Sequence, residues 1–154
     1  MSEPRLKYGQ LAPEGIAKMR ELEHYLNTRT NFEQPLLELI RLKASLINGC
    51  EYCINFHTVE LRKKNESAER ILHVAEWRSS EAYTKRERAA LAWTEAVTNI
   101  QDGHAPDAIY DEVRAHFSDV ETVNLTLAIT TINAWNRISI ALGTHSGHGT
   151  EVKA

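Results

Sequence analysis

Apolar residues recur at helical spacing along most of the chain, and no segment sustains the strict alternation of a half-buried strand. A first helix is expected from about Pro13 to Leu26, with Ile16, Met19, Leu22 and Leu26 on one face. A second runs from about Pro35 to Ile47 and stops at Asn48-Gly49, a good helix-ending pair. A third starts at Cys50 and continues to about Lys64. A short helix follows, with Ser67 as its cap and Ile71, Leu72 and Val74 as its apolar side. The fifth spans Thr84 to Val97, where Thr84 and Glu87 have the spacing of a capping box. The sixth covers about Pro106 to Phe117. The last begins near Ser118, with Glu121 completing a second capping box, and its roughly 25 residues to Leu142 span about 37 Å. Pro13, Pro35 and Pro106 each stand just ahead of a periodic stretch, where proline suits the first helical turn. The expected fold class is all-α. Residues 1–143 are expected to form one helical domain, and 144–154, small, polar and aperiodic, a loose tail.

Composition narrows the function classes. A chain of 154 residues is close to one typical domain and buries enough surface to fold without disulfides or metal. Its 25% charged and 42% hydrophobic residues are ordinary for a globular protein, which argues against disorder. The net charge of −3 holds no basic excess to point at nucleic acid or an anionic membrane. The longest unbroken apolar run, Ala89 to Trp93, is about five residues against the ~20 of a membrane helix. The opening MSEPRLKYGQ lacks the apolar core of a secretory leader, so a cytoplasmic address is expected. No Gly-rich phosphate loop is present, since Gly143, Gly147 and Gly149 fall after the last helix.

The two cysteines change this picture. Cys50 and Cys53 form C-x-x-C, which in a cytosolic setting points to redox chemistry or metal binding. At about 100° per residue, His57 lies about 40° and Cys50 about 60° from Cys53, so the three share one face. Both cysteines fall in the first turn of their helix, where the free N–H groups and the dipole favour an anion such as a thiolate. A disulfide between them needs only modest adjustment. Two other accounts stay open. Structural zinc takes four ligands; Cys50, Cys53 and His57 supply three, and a fourth from His73, His145 or His148 has no spacing to recommend it. The pair could also be two small buried hydrophobes beside a core histidine.

Glu38 lies in PLLELIRLKASLI, a helix apolar nearly all round, where Glu38, Arg41 and Ser45 make one narrow polar stripe. Periodicity alone favours a solvated stripe with a Glu38–Arg41 pair worth a few tenths of a kcal/mol. The alternative is a partly buried carboxylate held toward His57, its pKa raised by burial so that it passes protons. Trp77, Trp93 and Trp135 read as core or subunit contacts. Asn133, Asn136 and Arg137 read as groups that bridge neighbouring helices, and the long last helix suits a subunit interface. His24, His104, His116, His145 and His148 have no partner at useful spacing and read as surface residues.

Glu38, eleven residues, then Cys50-x-x-Cys53-x-x-x-His57 resembles the core of the AhpD-like alkylhydroperoxidases of the carboxymuconolactone decarboxylase superfamily. The stretch of about 35–99 looks like that core, and INAWNR (Ile132 to Arg137) looks like the segment that follows it in single-domain members. The resemblance implies an all-helical fold assembled into trimers or hexamers. It implies Cys53 as peroxidatic cysteine, Cys50 as resolving cysteine, and His57 with Glu38 as a proton relay. The substrate implied is a hydroperoxide, and the reductant an external dithiol such as a lipoyl-bearing protein. No cofactor or metal is required. Some members carry a second histidine just before the second cysteine; Tyr52 stands there, a much weaker proton carrier at neutral pH, which leaves the relay one group short. The decarboxylase branch lacks the cysteine pair. Two alternatives remain beside the peroxidase: a general dithiol–disulfide oxidoreductase, and a metal-binding or redox-sensing module.

Overall fold

In the computed structural model, residues 3–143 are described, and among them every regular element is helical. The order is α1 (Tyr8–Leu11), α2 (Pro13–Arg29), α3 (Leu36–Asn48), α4 (Glu51–Lys63), α5 (Ala68–Leu72), a 3-10 helix (His73–Ser79), α6 (Lys85–Thr98), α7 (Asp107–His116) and α8 (Asp119–Leu142). The expected all-α class is the one observed. The expected tail, with His145 and His148, lies outside the described residues.

Local chemistry sets most boundaries. Thr84 and Glu87 close a reciprocal capping box at the start of α6, and Ser118 and Glu121 do the same for α8. Ser67 caps α5 through the Arg70 amide. Two details differ from the periodic pattern. Tyr8–Leu11 forms a separate short turn before Pro13, and Val74 belongs to the 3-10 helix, not to α5. There Val74 and Trp77 are drawn into the core with Leu39, Leu42, Leu61 and Leu91, so packing, not propensity, shapes the segment.

Helix α3 lies at the centre, with α4, α6 and α8 packed around it. Ala89, Ala90 and Ala96 on α6 leave room for Leu36 and Ile40 of α3, and Leu125, Ala128 and Ile129 of α8 fill the same cluster. Trp77 and Trp93 are buried as expected; their indole N–H groups donate to Glu95 and Thr126 at 3.0 and 2.9 Å. Helix α2 packs on α8 and α1. No helix among the described residues is long and apolar enough to cross a membrane.

Candidate active site

The site begins with a two-residue turn. Gly49 ends α3 in the left-handed region at φ +68°, its N–H bonds to Leu46 O, and the Cys50 N–H bonds to Ser45 O. This is the Schellman pattern, which needs a residue without a Cβ penalty at that position. It delivers Cys50 to the N-cap of α4. Where serine or aspartate usually caps a helix, the Cys50 sulfur accepts the Cys53 N–H at 3.4 Å.

Cys50 and Cys53 are joined in a disulfide, their Cα atoms 5.3 Å apart. One helical turn separates Cys53 from His57 and another separates His57 from Leu61, so all three enter the interior on one face of α4. Cys50 is 1% exposed and Cys53 4% exposed. They differ in what they face. Cys53 lines a cavity of about 370 Å³, together with His57, Glu38, Tyr52, Phe56 and Trp135, whereas Cys50 is not on its wall. Tyr52 stacks on Phe56, and the Phe56 ring meets the His57 imidazole edge-on.

The polar stripe of α3 is not solvated. Glu38 is 5% exposed, Arg41 2%, and Ser45 is fully buried. The reason is that every member has a partner on another helix. The His57 Nδ1 is 2.7 Å from Glu38 Oε2, and Arg41 Nη1 donates to Glu38 Oε1 at 2.6 Å. Arg41 Nη2 donates to Glu23 Oε2 on α2 at 2.7 Å. At the other end Asn136 Nδ2 of α8 donates to Ser45 Oγ at 3.0 Å. Asn48 Nδ2 donates to Asn133 Oδ1 and Asn136 Oδ1 at 2.9 and 3.0 Å. The bridging role expected of Asn133 and Asn136 is thus what these residues do.

Glu38 also corrects an expectation about its charge. Burial does push its carboxyl upward, but the His57 hydrogen bond and charge, with the Arg41 guanidinium, outweigh it and hold the group at about 2. Glu38 is a fixed anion and not a carboxylic acid raised toward neutrality. It orients the imidazole and leaves Nε2 as the ring nitrogen not committed to Glu38.

His24 is exposed, as expected, yet it lines the same cavity from α2. Glu23 was missed by sequence reasoning, since it lies fifteen residues before Glu38 on a helix of weak amphipathicity. Among the described residues no group of three or more His, Cys, Asp or Glu is placed to hold a metal.

Comparisons with known proteins bear on the family and the fold. The profile of the carboxymuconolactone decarboxylase family matches residues 12–96. The uncharacterized protein YdfG of Bacillus subtilis (strain 168) is 39% identical over 139 residues, 90% of this chain and 94% of its own. Among solved structures, a protein of unknown function from Agrobacterium tumefaciens, with a suggested role as the antioxidant defence protein AhpD, is 40% identical. It superposes with a TM-score of 0.88 over 93% of this chain and 98% of that one. The debrominase Bmp8 in its apo form shares the fold at a TM-score of 0.76, with 21% identity over 84% of this chain and 69% of that one. The chain therefore belongs to the carboxymuconolactone decarboxylase family, and within that superfamily it is AhpD-like.

Proposed function

We propose that the protein is a thiol-dependent hydroperoxide reductase that cycles Cys50 and Cys53 between dithiol and disulfide. The observation that carries this reading is Cys53 on a cavity wall shared with His57, with Glu38 fixed behind the imidazole at 2.7 Å.

In the reduced protein His57 takes the Cys53 thiol proton, and the start of α4 favours the thiolate. The sulfur attacks the distal peroxide oxygen. An S–O bond forms and the O–O bond breaks, leaving a sulfenic acid on Cys53 and an alkoxide. His57 returns its proton to the alkoxide, giving the alcohol; such proton supply contributes about 10²–10⁴-fold. The Cys50 sulfur then attacks the Cys53 sulfur. The S–S bond forms, the S–O bond breaks, and the hydroxide leaves with the Cys50 proton as water. The disulfide of this structure is the state reached at that point. Two electrons from an external dithiol restore the thiols by exchange, and a lipoyl-bearing protein is the proposed donor. Throughout, Glu38 stays ionised and the moving proton rides on His57. The substrate proposed is an organic hydroperoxide, which the aromatic lining of Tyr52, Phe56 and Trp135 suits.

Assembly into a homo-oligomer belongs to the same proposal. Val120 and Val123, three residues apart on one face at the start of α8, are both exposed. A light-scattering mass of a monomer would reject it.

The deciding experiment is a thiol count. Reduced protein, freed of reductant, receives one equivalent of cumene hydroperoxide, and free thiols are titrated over seconds to minutes. Rapid loss of both thiols, abolished by Cys53→Ser, is the expected result. Loss at the rate of a small free thiol would reject the peroxidase and favour a general dithiol–disulfide oxidoreductase, which turnover of a model disulfide would then identify.

A further inference from the structure

What holds the relay in register is a second ion pair behind it. Arg41 is almost completely buried, and its guanidinium spans two carboxylates on two helices: Nη1 on Glu38 at 2.6 Å and Nη2 on Glu23 at 2.7 Å. With the Glu38–His57 contact at 2.7 Å, four side chains form a continuous chain of contacts across α2, α3 and α4. All four line the cavity that Cys53 faces.

Each link has a geometric consequence. A carboxylate bound to an imidazole alone is free to turn about its last torsion and offer either oxygen. Arg41 occupies Glu38 Oε1, so Oε2 alone meets Nδ1 and the ring is fixed. A guanidinium paired only with Glu38 would also cancel the negative charge that the imidazole feels. Glu23 takes the other edge of Arg41, so the three fixed charges sum to −1 and a proton on His57 brings the chain to neutrality. A buried guanidinium with its Nε unpaired is a costly way to build a scaffold, since apolar residues of similar volume often serve as well.

We propose that Arg41 is a positioning residue of this site, and Glu23 its counter-charge: together they orient Glu38 toward His57 and tune the charge felt at Cys53. The inference rests on the function proposed above, but its test does not depend on hydroperoxide turnover. Two readouts separate charge from geometry. The first is the pH midpoint of Cys53 alkylation by iodoacetamide, in a Cys50→Ser background that leaves one thiol. The second is the downfield Nδ1–H proton resonance of His57 in the disulfide form.

Arg41→Met removes a positive charge and is expected to raise the midpoint by about half a pH unit, while Glu23→Gln lowers it by a similar amount. Arg41→Lys keeps the charge but not the fork, so the midpoint stays near that of the parent while the Nδ1–H resonance weakens. An unchanged midpoint and resonance in a folded Arg41→Met protein would overturn the proposal and leave Arg41 a scaffold ion pair. Where Arg41→Met does not fold, an unchanged resonance in Arg41→Lys and an unchanged midpoint in Glu23→Gln overturn it equally. A parent protein that reacts with cumene hydroperoxide no faster than a small thiol rejects the peroxidase alone, because neither readout uses a peroxide.

Discussion

Glu38→Gln removes one buried charge while nearly preserving shape. In the folded protein the Glu38 carboxyl is held at about 2 against an ordinary 4.5. At about 1.4 kcal/mol per tenfold change in proton affinity, that difference corresponds to about 3 kcal/mol of folding stability. The group is 5% exposed, so solvent does little to screen it. The folded-state value lies below the unfolded one. The contribution is therefore complete above about pH 4.5 and is lost as the pH falls toward 2. Glutamine has no such dependence. Urea unfolding of both proteins in the disulfide form, at pH 7 and then stepwise down to pH 2, reads the difference directly. The gap is expected to be about 3 kcal/mol at pH 7, to shrink below pH 4.5, and to approach zero near pH 2. Glu87, Glu95 and Glu121 are also held low by arginine or lysine partners and local hydrogen bonds. They are present in both proteins, so their effects cancel. A gap that stays constant from pH 7 to pH 2 would refute the electrostatic account of Glu38.

The other expectations are local. Asn136→Ala removes the amide that donates to the buried Ser45 hydroxyl and one of the two acceptors of the Asn48 amide, and should cost about 1–3 kcal/mol by urea unfolding. Gly49→Ala meets no atom within 4 Å, so its cost is backbone strain at positive φ, about 1–2 kcal/mol by the same assay. Cys50→Ser treated with one equivalent of hydroperoxide should stop at the Cys53 sulfenic acid, seen by mass spectrometry as one added oxygen that a dimedone probe captures. An unmodified Cys53 in that variant would count against its role as the attacking sulfur.

What was legible in the sequence was what neighbours in the chain decide. The Thr84–Glu87 and Ser118–Glu121 caps, the stop at Gly49 and the Cys50–Cys53–His57 face all depend on residues three or four apart, and each formed as expected. The resemblance carried by Glu38, Cys50, Cys53 and His57 identified the family. The stripe Glu38, Arg41, Ser45 was visible too, but periodicity equates a polar stripe with solvent. Its partners, Glu23, His57 and Asn136, come from three other helices, and no local pattern announces them. The same holds for the charge on Glu38. Burial alone would have raised its pKa, and only the packed neighbours reverse the sign. The 3-10 segment around Trp77 was likewise decided by its fit into the core.

The sulfur cap on α4 also sets a direction for thiol exchange. In the proposed cycle an incoming thiolate that enters through the cavity meets Cys53 first, and the sulfur it expels is Cys50. That departing sulfur already sits at the helix start, accepting the Cys53 amide at 3.4 Å. The charge it acquires on leaving is therefore solvated before it appears, and a better-stabilised thiolate departs faster. The mixed disulfide with the donor should accordingly form on Cys53, with Cys50 as its leaving group. A single backbone N–H would then divide the labour of the two cysteines: one sulfur exchanges partners in the cavity, and the other departs into the helix and returns from it.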